Sequence, residues 1–345
     1  MKIRRLDLGE HSSTRLLYEE IFEEDSKSFV DYYYTEKTKD NQMYVLEEDG
    51  AIRSMLHLNP YCLMVNGTEK QAHYIVAVAT QEAYRKRGYM KALIKKALKD
   101  MYHNGESFTF LMPAAEAIYL PHDFRTVYQQ KRRFYDPKSG QCTGDSSEMS
   151  LRIPDGEIHP ATETDCPELA AFANEYLRKH YQVYALRDSA YYERLIKEYA
   201  SDGGTLYVRR TKGQITDCLP YVPDDKEGEE SPKIMVRIVD VRRMLMSLSL
   251  ESLTAVCFQI TDPIIQENNR CVVLTGTEFS GAMLMEGKPG NSEGTLTIAS
   301  LASLIFGAKS VDKVCEEDGV IMSERMKKEM MKIIPLSDIY LNETV

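Results

Sequence analysis

The stretch that most constrains the fold of this chain runs from Ala72 to Met112. Ala72-His-Tyr-Ile-Val-Ala-Val-Ala-Thr80 is an apolar run of strand length, rich enough in β-branched residues to be read as a buried strand. A basic turn follows, Tyr84-Arg85-Lys86-Arg87-Gly88-Tyr89-Met90. A helical pattern then extends from Gly88 to about Asn104, with Leu93, Ile94, Ala97, Leu98 and Met101 on one face and Gly105 as its stop. Phe108-Thr-Phe-Leu-Met112 comes next as a second buried strand. Strand, turn, helix and strand form a βαβ-like unit, so the fold class is α/β. Upstream, Leu16 to Tyr34 is spaced as helix, and Met43–Leu46 and Ile52–Leu58 are strands joined at Glu48-Asp49-Gly50, with a further hairpin at Asn66-Gly67.

The chain has 345 residues, which at ~150 per domain implies two or three units. Two stretches combine turn formers with charge and lack periodicity, Tyr135 to Ser147 and Tyr221 to Pro232. They divide the chain into residues 1–135, 148–222 and 232–345. The formal net charge of −10 disfavours nucleic acid and anionic membranes as partners and favours cations. The amino terminus lacks the apolar core of a signal peptide, and no apolar run approaches the ~20 residues that span a bilayer. Seven cysteines, scattered and never in a Cys-x-x-Cys pair, fit a reducing cytoplasm and no metal.

The turn at 84–90 puts three cations and a glycine at a helix amino terminus. Free backbone N–H groups, the helix dipole and the cations together make a cradle for a pyrophosphate. A merely solvated basic cap is the bland alternative, but positive charge there opposes the macrodipole unless an anion offsets it. At these residues the segment resembles the GNAT superfamily of acetyl-CoA-dependent N-acetyltransferases, whose signature is Arg/Gln-x-x-Gly-x-Gly/Ala on a strand-turn-helix. Arg85 and Gly88 match, and Met90 stands at the last position. The likeness continues through Leu111-Met-Pro-Ala-Ala-Glu-Ala-Ile-Tyr119-Leu-Pro-His-Asp-Phe124, with Asp123 where glycine is usual.

The resemblance implies a GNAT-type mixed sheet with helices on both faces. It also implies that Val78, Ala79 and Thr80 pair with the pantetheine arm of acetyl-CoA and supply an oxyanion donor. Residues Arg85, Lys86, Arg87, Gly88, Tyr89, Met90 and Lys91 would hold the pyrophosphate, with Ala114 and Ala115 walling the arm. Tyr119 takes the place of the general acid that protonates the departing thiolate. His57, His73, His103, His122 and His180 fall in no triad or metal spacing and are read as structural, and Tyr32-Tyr33-Tyr34 as half core.

The middle block opens with the helix pattern around Pro167 to Asn174 and is similar to a truncated second, degenerate GNAT domain of the enhanced intracellular survival (Eis) family. Ile238-Val-Asp240, Asp262, Asn268-Asn269, Phe306-Gly307 and Asp318-Gly-Val320 resemble the sterol-carrier-like α+β domain that closes Eis chains. That family uses its terminal carboxylate as the base for the incoming amine, which here implicates the carboxylate of Val345. The function implied is acetyl transfer to a primary amine of a cationic acceptor, aminoglycoside-like or a polyamine, by an oligomeric enzyme. A non-catalytic lipid or ligand carrier built on the last domain is the alternative, and a purely structural assembly protein is a third.

Overall fold

Two tight turns set the register of the amino-terminal sheet. Asp49 and Gly50 (φ 53° and 75°) and Asn66 and Gly67 (φ 48° and 78°) are all left-handed, as two-residue hairpins require. The structure is a computed structural model that describes residues 1–144, 150–151, 155–223 and 231–343. The Tyr221 to Pro232 joint lies mostly outside the described residues, as do 145–147 of the Tyr135 to Ser147 joint and Val345.

The first block comprises β1 (Lys2–Arg5), α1 (Arg15–Ile21), α2 (Lys27–Thr35), β2 (Gln42–Glu48), β3 (Ala51–Val65), β4 (Thr68–Thr80), α3 (Tyr89–His103), β5 (Phe108–Leu111), α4 (Glu116–Tyr119) and β6 (Arg125–Gln129). The middle holds β7 (Arg133–Asp136), β8 (Gln141–Gly144), β9 (Glu157–Pro160), α5 (Cys166–His180), β10 (Val183–Ala185), α6 (Ser189–Ser201), β11 (Thr205–Thr211) and β12 (Gln214–Tyr221). The last block opens with β13 (Lys233–Ile238), α7 (Val241–Leu245) and β14 (Ser249–Leu250). It continues through β15 (Thr254–Thr261), β16 (Arg270–Thr277), β17 (Gly281–Glu286), β18 (Gly294–Thr297), α8 (Ile298–Ile305) and α9 (Val311–Val314). It closes with β19 (Ile321–Met322), α10 (Glu324–Met330), β20 (Ile333–Ile334) and β21 (Ile339–Tyr340).

The principal sheet runs β1-β2-β3-β4-β5-β13-β6, with β4 and β5 parallel. Alternation along β2 sends Tyr44 and Leu46 into the core beneath α3, and Met43 and Val45 into the core with α1 and α2. Helices therefore cover both faces, as a mixed α/β sheet needs. The blocks read from the sequence are more entangled than their boundaries. β13, first strand of the 232–345 block, lies between β5 and β6 of the first. β10 from the middle extends β3 at Leu63 to Val65, and β21 pairs in parallel with β10. Residues 336–343 thus thread back across the first two blocks.

Arg237 of β13 is wholly buried and bonds Asp262 Oδ1 at 2.7 Å. Asp262 also accepts from the backbone N–H groups of Ile264 and Ile265 at Oδ1 and from Asn268 Nδ2 at Oδ2, so both of its oxygens have partners. The last block forms its own sheet, β17-β16-β15-β18-β19. β18 ends at Thr297, whose side chain caps α8 by accepting from Ser300 N–H. The middle block has a three-stranded sheet, β12-β11-β9, packed by α5 and α6. All seven cysteines are free thiols, and among the described residues no helix is long and apolar enough to cross a membrane.

Candidate active site

β4 outruns its neighbour. It pairs with β5 only at Tyr74 with Phe110 and Ile75 with Leu111, where β5 ends, while β4 continues to Thr80. Within the overhang Ala77 is left-handed (φ 48°) and the register with β3 shifts between Met55 and His57, the signature of a bulge. Among the described residues no strand covers the β5 side of 76–80. Beside this open edge lies a cleft of about 500 Å³. Its walls are Val78, Ala79, Thr80, Arg85, Lys86, Gly88, Tyr89, Met90 and Lys91, joined by Ile21, Tyr84, Ile118 and His122.

Gly88 is the N-cap of α3 at φ 81°, a conformation glycine adopts at least cost, and no atom lies within 4 Å of where a Cβ would stand. The first N–H groups of α3 have no intrahelical acceptor and open onto this space. Arg85 Nε donates to Thr80 O at 3.3 Å, holding its guanidinium near the end of the overhang. The cradle fits an acyl donor with a pyrophosphate at one end and a chain of amides along the strand edge. Three of the residues expected here sit outside the cleft lining. Arg87 lies over the Tyr84 ring and 3.8 Å from Glu48, whose carboxylate also takes the Tyr89 hydroxyl hydrogen at 2.5 Å. Ala114 and Ala115 are on the exposed turn before α4.

Tyr119 ends α4 with its ring edge-on to Phe124 and 7% of its surface exposed. Among the described residues nothing hydrogen-bonds its hydroxyl, and burial alone pushes the phenol up to about 12. It packs in the core rather than in the cleft lining itself.

A second pocket, about 200 Å³, lies where the three blocks meet. Asn59 and Tyr61 come from β3, Lys37 and Asp40 from the segment after α2, Arg194 and Glu198 from α6, and Glu343 from the tail. Its acids are held in place. Glu198 accepts from Tyr32 and from Lys37, Asp40 takes both guanidinium nitrogens of Arg194, and Glu343 takes the Tyr191 hydroxyl hydrogen. Asn59 is buried, and neither its amide oxygen nor its amide nitrogen has a partner. Tyr74 lies edge-on to Tyr61 of this pocket, ring centroids 6.4 Å apart, and shares a core with Tyr119. Burial, then Glu343 and Glu198, raises the Tyr61 phenol well above its usual range.

None of the second pocket's residues was singled out from the sequence. Asn59, Glu198 and Glu343 carry no local motif, and only the return of the tail brings them together. His122 had been read as structural, yet it lines the first cleft.

Residues 2–127 match the family described as Acetyltransferase (GNAT) domain. No curated protein matches the chain. Among solved structures, a probable N-acyltransferase from Enterococcus faecalis is similar over 97% of both chains, at 13% identity and a TM-score of 0.75. A GCN5-related N-acetyltransferase from Anabaena variabilis is similar over 98% of this chain and 99% of its own, at 15% identity and TM-score 0.74. Eis1 from Mycobacterium abscessus is similar over 99% of both, at 13% identity and TM-score 0.69. These likenesses extend the shared fold to the whole chain. Over residues 2–127 the chain is similar to the GNAT acetyltransferase domain family, and its whole length shares the fold of the N-acetyltransferases named above.

Proposed function

We propose that this chain transfers the acetyl group of acetyl-CoA to a primary amine of a cationic acceptor by direct attack. The observation that carries the reading is the uncovered edge of β4 from Val76 to Thr80 beside the Gly88 cradle. The donor supplies an activated thioester carbonyl. Backbone groups of Val78 to Thr80 align the arm and offer an N–H to the oxygen on which charge develops. The amine nitrogen bonds the carbonyl carbon, the carbon–sulfur bond breaks and the sulfur takes the proton of Tyr119; the nitrogen gives its remaining extra proton to solvent, and solvent returns one to the Tyr119 phenolate. A phenol held up near 12 is protonated across the physiological range, as an acid in this role must be.

The acceptor occupies the second pocket in this reading. Its lining has four carboxylates, Asp40, Asp188, Glu198 and Glu343, against Lys37 and Arg194, and Arg187 pairs with Glu343, which leaves an excess of one negative charge to meet an ammonium. The proton lost by that ammonium passes to the carboxylate of Val345, directly or through water, and an aminoglycoside or a polyamine meets the charge equally well. A homo-oligomer and a sterol-carrier-like role for residues 232–345 belong to the same family-based reading.

The test is coenzyme A release over a panel of polycationic amines, using the intact protein, Tyr119→Phe and a chain ending at Leu341. Amine-stimulated release by the intact protein, lost in both variants while coenzyme A still binds, is the expected result. Release by the truncated chain equal to the parent's removes the terminal carboxylate from the mechanism.

A further inference from the structure

His122 closes the short turn Leu120–His122 that follows α4, three residues beyond Tyr119. The residue lines the cleft together with Ile118 and the α3 amino terminus, yet it is only 7% exposed. Among the described residues no group hydrogen-bonds either ring nitrogen, and Nδ1 is fully buried without a partner. The backbone around it is pinned. Its carbonyl oxygen accepts from Arg237 Nε at 3.3 Å, and the next residue, Asp123, turns the chain at φ 66°.

A buried ring nitrogen left unpaired costs about 1–3 kcal/mol, and native proteins pair nearly all such atoms. A cleft-lining residue on a pinned backbone, with a ring nitrogen left unpaired, therefore points to a partner that arrives with the ligand. The chemistry of that partner follows from the ring's surroundings. Burial first, then Lys91 and Arg237, keep the imidazole in its neutral form. A neutral imidazole has one donor and one acceptor, as does a secondary amide. A phosphate would instead favour the cationic ring, and the turn at 85–91 already supplies N–H groups and cations for phosphate.

We propose that His122 is a binding residue for the acyl donor, hydrogen-bonding an amide of its pantetheine arm and so fixing the arm along the β4 edge. The proposal rests on the reading of this cleft as the acetyl-CoA site. Leucine is the residue that removes the hydrogen bond while keeping the bulk, and asparagine restores a polar nitrogen close to the position of Nδ1.

The experiment is calorimetric titration of the full-length parent, His122→Leu and His122→Asn with coenzyme A and with 3′-phosphoadenosine 5′-diphosphate, which has the nucleotide and its pyrophosphate but no arm. Loss of one neutral hydrogen bond corresponds to a weakening of about 3- to 10-fold. We expect that loss for coenzyme A in His122→Leu, no change for the diphosphate, and recovery to within about 2-fold of the parent in His122→Asn. Melting followed by circular dichroism separates lost binding from lost fold. Coenzyme A binding by His122→Leu as tight as the parent's, or equal losses for both ligands, overturns the proposal while leaving the cleft assignment intact. A parent that binds neither ligand overturns the cleft assignment and the proposal together.

Discussion

Arg187 and Glu343 form a buried ion pair, 3.6 Å between guanidinium and carboxylate, across 156 positions of sequence. Arg187 precedes α6 and Glu343 is the third residue from the end of the chain. The Tyr191 hydroxyl donates to the other oxygen of the same carboxylate, and Gln130 Nε2 donates to the carbonyls of Leu341 and Glu343. Together with the pairing of β21 on β10, these contacts anchor the tail in the wall of the acid-lined pocket.

Arg187→Met removes one charge of this pair and leaves the other buried. Breaking such a pair from one side costs about 3–5 kcal/mol, and urea unfolding of the variant is expected to show a loss of that order. An unchanged unfolding midpoint would mean that the tail is held by strand pairing alone.

Tyr119→Phe keeps the packing against Phe124 and removes only the phenol. Turnover is expected to fall by about 10²- to 10⁴-fold with coenzyme A affinity unchanged. Because burial holds this phenol up to about 12, the parent's activity keeps its acid at pH values where an exposed tyrosine, near 10, would have lost it. The folded state holds that proton more tightly than the unfolded chain. Its contribution to stability is complete below the unfolded value of about 10 and declines as the pH rises toward the folded value of about 12. Ultraviolet titration of tyrosinate in parent and variant checks this, and a missing high-pH component in neither difference spectrum would sink it.

Gly88→Val meets no atom, yet it forces a branched side chain into φ 81°, at a cost of about 1–2 kcal/mol. Relief of that strain tilts the first N–H groups of α3, so coenzyme A binding is expected to weaken by about tenfold or more. Gly140→Val is the control, since it sits at φ 71° in the turn between β7 and β8, with open space around it and outside the cleft lining. It should lose comparable stability and bind coenzyme A like the parent. Equal effects of the two substitutions on binding would count against the cradle.

Residues 1–135 produced alone lack β13, so the inner edges of β5 and β6 are left bare. An unpaired, wholly buried strand such as Phe108–Leu111 is an aggregation template. The fragment is expected to be insoluble or to melt without cooperativity, whereas the full chain unfolds cleanly. Cooperative melting and coenzyme A binding by the fragment would show that β13 is dispensable.

Much of the site was legible from residues close together in the chain. The run from Ala72 to Thr80, the glycine turn and the helix face from Leu93 to Met101 all appear where their spacing puts them, because period and turn chemistry are local. The two hairpins at Asp49-Gly50 and Asn66-Gly67 are equally local, since φ above zero at those residues is nearly a sequence property. The bulge at Ala77 was not legible. Nothing in Val-Ala-Val announces a left-handed alanine, which depends on the register that β3 imposes.

By itself, then, the sequence determined the βαβ-like unit and the cation-rich glycine turn, because each is written in contacts a few residues apart. Only the tertiary structure decided that β13 completes the first sheet, that the tail returns to wall the acid-lined pocket with Glu343, and that His122 lines the donor cleft with an unpaired nitrogen. The physical reason is that strand partners and burial are chosen by surfaces meeting across a hundred or more positions. Local periodicity can show which residues want a partner, but it does not carry which partner they find.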